Sequence, residues 1–114
     1  KETTRYPPAQ KYMPPRLGDE VEVHCVGSLK RSGQQFYSSR EEGGKPLKYR
    51  VGSGEVIEGW DLAVQNMKKG EHATFTIPPE FAYKDEGRGD KESPSYVPPS
   101  TVIELQLELV KAPL

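Results

Sequence analysis

The stretch VGSGEVIEGW closes on Trp60, the one tryptophan of the chain, with the apolar pair Val56 and Ile57 just before it. Chemistry at such a place would be non-covalent: a large aromatic reached from a glycine-punctuated segment can floor a pocket in which an apolar group loses its water. Residues for covalent or acid–base work are scarce elsewhere. GSGEVIEG carries Gly52 and Gly54 but has Ile57 where a dinucleotide fingerprint needs glycine, and no lysine follows for a phosphate loop. His24 and His72 sit in strand-like alternation on the side away from the apolar rows, where histidine is an ordinary surface residue, and the sequence sets no nucleophile beside either. Cys25 falls on the inward side of its strand, the place of a small buried hydrophobe rather than a reactive thiol. A single cysteine forms no internal disulfide and no metal pair, so neither metal nor cofactor is expected.

The elements that must position Trp60 are mostly strands. Eleven glycines and eleven prolines cut the chain into short segments, most of them of period two. From Glu20 to Leu29, Val21, Val23 and Cys25 alternate with polar residues, the pattern of a half-buried strand. Ala73, Phe75 and Ile77 repeat it, as do Ile103, Leu105, Leu107 and Leu109, and shorter strands are expected at Gln35 to Ser38 and Leu47 to Val51. One segment breaks the period. In EGWDLAVQNMKKGE, Trp60, Ala63, Val64 and Met67 form the apolar stripe of a short helix, expected to end near Lys69 with Gly70 as its left-handed cap. An apolar sheet face with one such helix laid across it is an α+β domain, with Trp60 between the two layers.

Residues 1–16, KETTRYPPAQKYMPPR, hold four prolines and no clear period, so they read as an extended arm or linker, or else as an edge strand. The domain proper is expected over residues 17–112. At 114 residues the chain has one core, burying roughly 65% of the surface of its unfolded form. The net charge of −1, with the two signs interspersed, argues against nucleic acid as a partner, and no apolar run is long enough for a membrane span. The chain starts at Lys1 without an initiator Met or a signal-like segment, which reads as a piece of a longer protein. Its lone thiol suits a reducing compartment, cytoplasmic or nuclear.

VEVHCVGSL, GQQFYSSR, KPLKYRVGSGEVIEGWDLAVQNMKKGE, TIPPEFAY and VPPSTVIELQLELV together resemble, in order and spacing from about Leu17 to Lys111, the FKBP-type peptidyl-prolyl isomerases. That resemblance implies a curved antiparallel sheet of five or six strands wrapped around one short helix. It implies isomerisation of X-Pro bonds in client proteins and binding of macrolides such as tacrolimus or rapamycin; an FKBP-like binding module of a larger co-chaperone is the alternative.

Carried over position by position, the resemblance makes Trp60 the pocket floor, Val56 and Ile57 its wall with the Ile57 N–H donating to a ligand carbonyl, and Phe36 its aromatic side. It makes Tyr83 the phenol that meets a ligand carbonyl and Tyr49 a deeper aromatic on the same face. This chain also departs from the family pattern. Cys25 and Tyr37 stand where a hydrogen-bonded tyrosine and aspartate are usual, Leu47 and Leu105 where aromatics are common, and Lys84 where glycine is usual. Tyr96 takes the place of a branched aliphatic that overhangs the pocket.

Overall fold

The computed structural model describes residues 2–5, 14–40, 44–89 and 96–112. Its longest strand, β2 (Glu20–Leu29), sends Val21, Val23 and Cys25 to one face, none of them more than 1% exposed. The last strand, β6 (Ile103–Lys111), runs antiparallel beside it, with Cys25 opposite Leu107 and Gly27 opposite Leu105. Because side chains alternate across a sheet, this register gathers both apolar rows on a single face, where a slip of one residue would turn them to solvent.

On the far side of β6 lies β5 (His72–Ile77), with Ala73 opposite Leu107 and Phe75 opposite Leu105. The other edge of β2 is shared by two short strands. β4 (Leu47–Arg50) pairs with residues Glu20 to Val23, and β3 (Gln35–Ser38) pairs with residues Val26 to Ser28. A strand at the start of the chain, β1 (Glu2–Arg5), pairs with β5 and completes an antiparallel sheet of six strands. For residues 2–5 of the proline-rich segment, the edge-strand reading holds in place of the arm or linker, while residues 6–13 lie outside the described residues.

The helix α1 (Glu58–Val64) buries Gly59, Trp60, Ala63 and Val64 toward the sheet, and Met67 beyond its end is fully buried too. The stripe read from the sequence is therefore the buried face, but the helix is shorter than expected and stops at Val64 rather than near Lys69. After Val64 the backbone tightens into i→i−3 bonds, Asn66 N–H to Ala63 O and Met67 N–H to Val64 O. The next donors are taken by tertiary partners. The Lys68 N–H goes to the buried Glu71 carboxylate at 3.0 Å and the Gly70 N–H to Leu109 O at 2.8 Å. Gly70 does adopt positive φ, at 90°, but in the turn into β5 and not as the helix cap.

Candidate functional site

Trp60 lies in the first turn of α1 and is 7% exposed. Two strands and one turn bring aromatic rings around it. Tyr49 of β4 meets the indole edge-on, centroids 6.4 Å apart at 90°, and Tyr37 of β3 tilts against it at 6.0 Å. Phe36, the neighbour of Tyr37, stands edge to face with Tyr83 at 5.9 Å. Between these rings is a half-open cavity of about 230 Å³. Phe36, Tyr37, Trp60 and Tyr83 form its aromatic lining, and Leu47, Val56, Ile57 and Leu105 its aliphatic lining. Glu55 and Arg88 also reach it.

Local chemistry sets each wall. Adjacent strand residues point to opposite faces, yet Phe36 and Tyr37 both line the cavity. The irregular register between Gly27 and Ser28, where β3 pairs with β2, accompanies that break in alternation. Gly27 also makes room: a Cβ there would sit 2.8 Å from Phe36 Cζ, so only a glycine lets that ring lie across β2. The loop carrying Glu55, Val56 and Ile57 is tied to α1 by Asp61, whose two carboxylate oxygens accept the Gly52 N–H at 2.9 and 3.1 Å. Tyr83 follows a 3-10 turn, Pro79–Phe81, in which Pro79 O accepts both the Ala82 and the Lys84 N–H at 3.0 Å.

Electrostatics keeps the phenols neutral. Burial raises the Tyr83 hydroxyl above its usual value, the Arg88 charge pulls it back in part, and Cys25 and Tyr37 add to the rise. Tyr37 is likewise raised, by burial first and then by Cys25 against Arg88. Both therefore remain hydrogen-bond donors at neutral pH. The Tyr49 hydroxyl is raised by burial and by the Asp61 charge, with the nearby Trp60 indole offsetting part of it. Even so, neither the Tyr49 hydroxyl nor Trp60 Nε1 stands in hydrogen-bonding geometry with a partner.

Of the residues singled out in the sequence, Phe36, Tyr37, Leu47, Val56, Ile57, Trp60, Tyr83 and Leu105 meet at this one cavity. Tyr49, Cys25 and Tyr96 are not among its lining residues. Tyr49 backs the indole from the core, and Cys25 is fully buried, its thiol pushed far up by desolvation and so kept protonated and inert. Tyr96 is half-buried beside Val97, and the loop residue that reaches the cavity is Arg88. Sequence reasoning missed Arg88 because it sits in a run of mixed charge. The histidines face away from the apolar rows as expected, but they are not isolated. His24 Nδ1 lies 2.8 Å from Ser39 Oγ, and His72 Nε2 lies 3.3 Å from Glu108, which also pairs with Arg40. Arg40, His72 and Glu108, which pair with one another, border a second hollow of about 220 Å³ on the outer face of the sheet. Among the described residues, no group of three His, Cys, Asp or Glu side chains could hold a metal, and no helix is long and apolar enough to cross a membrane.

The sequence and the fold recur in known proteins. The family model for FKBP-type peptidyl-prolyl cis-trans isomerases matches residues 11–110. An FK506-binding protein 2 of Candida glabrata is 40% identical over 93 residues, covering 82% of this chain and 64% of that relative, so the chain spans less than two thirds of its length. An FK506-binding protein 1 of Saccharomyces cerevisiae is 37% identical over 97 residues, 85% of this chain and 79% of that protein. Among solved structures, AtFKBP13 superposes with a TM-score of 0.82 at 33% identity, covering 96% of this chain and 89% of its own. The three FKBP domains of wheat FKBP73 give 0.84 at 34% identity, with 96% of this chain and 44% of that one covered. With the fold, the aromatic cavity and the sequence match in agreement, the chain belongs to the FKBP-type peptidyl-prolyl cis-trans isomerase family.

Proposed function

We propose that this domain accelerates cis–trans isomerisation of X-Pro bonds in client protein segments, with the proline ring seated over Trp60. The observation that carries this reading is the cavity between Trp60, Tyr37, Phe36 and Tyr83, open to solvent at one side and walled by rigid rings. Rotation about an X-Pro bond must break amide resonance against a barrier of ~18 to 20 kcal/mol. Water opposes that rotation, because it hydrogen-bonds most strongly to the planar, charge-separated form. A cavity that strips this water and accepts the less polar twisted imide favours the transition state over the ground state. No nucleophile or proton relay is needed.

In this reading Trp60 supports the ring, and Phe36, Val56 and Ile57 hold it laterally. The Ile57 N–H and the protonated Tyr83 hydroxyl receive substrate carbonyls. The names of the FK506-binding relatives support tacrolimus-like macrolides as a second kind of occupant. Leu47 and Leu105 give this chain a softer rim than aromatics would, and Tyr37 brings no carboxylate in place of the usual aspartate, so its macrolide affinity is expected to be lower than with the usual residues. A protease-coupled assay on an X-Pro peptide, run with and without tacrolimus, tests both parts. Acceleration that tacrolimus suppresses is the expected result. Folded protein that binds tacrolimus or peptide but leaves the exchange rate unchanged would instead identify a binding module.

A further inference from the structure

Arg88 is the cation of the cavity, and its placement is built into the backbone. The Arg88 N–H donates to Val97 O and the Val97 N–H donates to Arg88 O, both at 2.8 Å, and Val97 is fully buried. Gly87 lets this bridge close. Its φ is +69°, and a Cβ there would meet Val97 O at 2.4 Å. The loop is thereby fastened to the core beside the very residue that enters the cavity.

The guanidinium carbon lies 5.8 Å from the Phe36 ring centre, 5.9 Å from Tyr37 and 5.7 Å from Tyr83. Those rings are attractive to a cation, but they accept no in-plane hydrogen bond from it. Arg88 Nη1 is buried without a hydrogen-bond partner. A buried donor left without an acceptor is costly, and a ligand that brings an acceptor removes that cost on binding. Carboxylate is the group whose two oxygens match the guanidinium fork.

We infer that Arg88 makes this cavity selective for X-Pro segments with a carboxylate side chain next to the proline. The inference rests on the proposed binding of X-Pro segments in the cavity. The neighbouring charge does not cancel it. Glu55 reaches the same cavity but is exposed and holds the Ser53 hydroxyl at 3.1 Å, so its repulsion is screened by water. Arg88 acts from between three rings, where the effective dielectric is lower and its attraction correspondingly stronger.

Two matched peptide pairs test this, Glu against Gln before the proline and Glu against Gln after it, each read by kcat/KM and by titration of Trp60 fluorescence. In at least one pair the Glu peptide should be favoured roughly tenfold, the size of one charge-assisted hydrogen bond. Arg88→Met should bring that ratio to near one whatever happens to the overall rate, and Arg88→Lys should keep part of it. A ratio near one in both pairs for the parent protein, or a ratio unchanged in Arg88→Met, overturns the inference. A Glu preference that depends on Arg88 in the fluorescence titration, without acceleration of any peptide, would uphold the selectivity and remove the isomerase reading alone.

Discussion

Phe36 and Tyr83 stand edge to face across the cavity, ring planes at 86° and centroids 5.9 Å apart, although they are far apart in the chain and belong to β3 and to the turn after β5. Each ring thus depends on the other's backbone for its place. Edge-to-face pairs of this kind contribute about 0.5 to 1.5 kcal/mol beyond the area they bury. The same contact that shapes the cavity also joins two parts of the fold.

The backbone beneath Phe36 gives the first prediction. In Gly27→Ala the new methyl would lie 2.8 Å from Phe36 Cζ, so the ring must move into the cavity or the strand must yield. Overpacking of this kind costs about 1 to 3 kcal/mol. A lower urea midpoint and a lower kcat/KM are expected together. Adding Phe36→Leu should recover part of the stability, with a coupling of roughly 0.5 to 3 kcal/mol in the double-mutant cycle.

Trp60 should report on the cavity directly. Its emission is expected to change saturably as tacrolimus or a proline mimetic is added, since the indole forms part of the cavity lining. Trp60→Ala should abolish isomerisation and lower stability by about 3 to 5 kcal/mol. Circular dichroism must first show that the variant is folded. Tight binding by the parent protein with no change in emission would place the ligand elsewhere.

Glu71 is 4% exposed and joins three parts of the chain. Its carboxylate accepts the Lys68 N–H at 3.0 Å and the Thr3 hydroxyl at 2.9 Å, linking the exit of α1 to β1 beside β5. Glu71→Ala should lower stability by about 1 to 3 kcal/mol through those lost bonds. Thr3→Val, which removes only the link to β1, should cost less in the same urea titration.

Lys84 holds a φ of +55°, in the left-handed region that favours glycine. A left-handed residue with a Cβ costs about 1 to 2 kcal/mol, and the extra backbone freedom of glycine returns about 0.5 to 1 of that to the unfolded state. Lys84→Gly is therefore expected to stabilise the domain by roughly 0.5 to 1 kcal/mol. An unchanged or lower melting temperature would count against the strain.

The acid limb of stability should follow Glu108. Burial pushes its carboxyl upward, but the Arg40 hydrogen bond and the charges of His72, Arg40 and His24 outweigh this and hold it below its usual value. A carboxyl with a lower value folded than unfolded contributes stability that is complete above about pH 4.3 and is lost as pH falls through the folded value. Glu108→Gln should thus lower the urea midpoint at neutral pH and flatten its decline in acid. Equal acid slopes for parent and variant would show that other carboxyls govern that limb.

Periodicity along the chain was enough to determine strands β2 to β6 and the buried stripe around Trp60, because alternation and the helical repeat are local consequences of side-chain geometry. The resemblance to the FKBP-type isomerases, carried over position by position, was enough to name most of the cavity lining, from Phe36 through Trp60 to Tyr83. Where α1 ends was decided by the tertiary structure, since Lys68 and Gly70 give their N–H groups to Glu71 and Leu109, which are close only after β5 and β6 pair. The fate of Glu2–Arg5 was decided the same way, by an open edge on β5 that no local pattern announces. Tyr49 and Cys25 fell behind the cavity rather than in it because packing depth depends on the register of whole strands. Arg88 reached it because a glycine at position 87 allowed a bridge to Val97, a contact between loop segments that carry no period of their own.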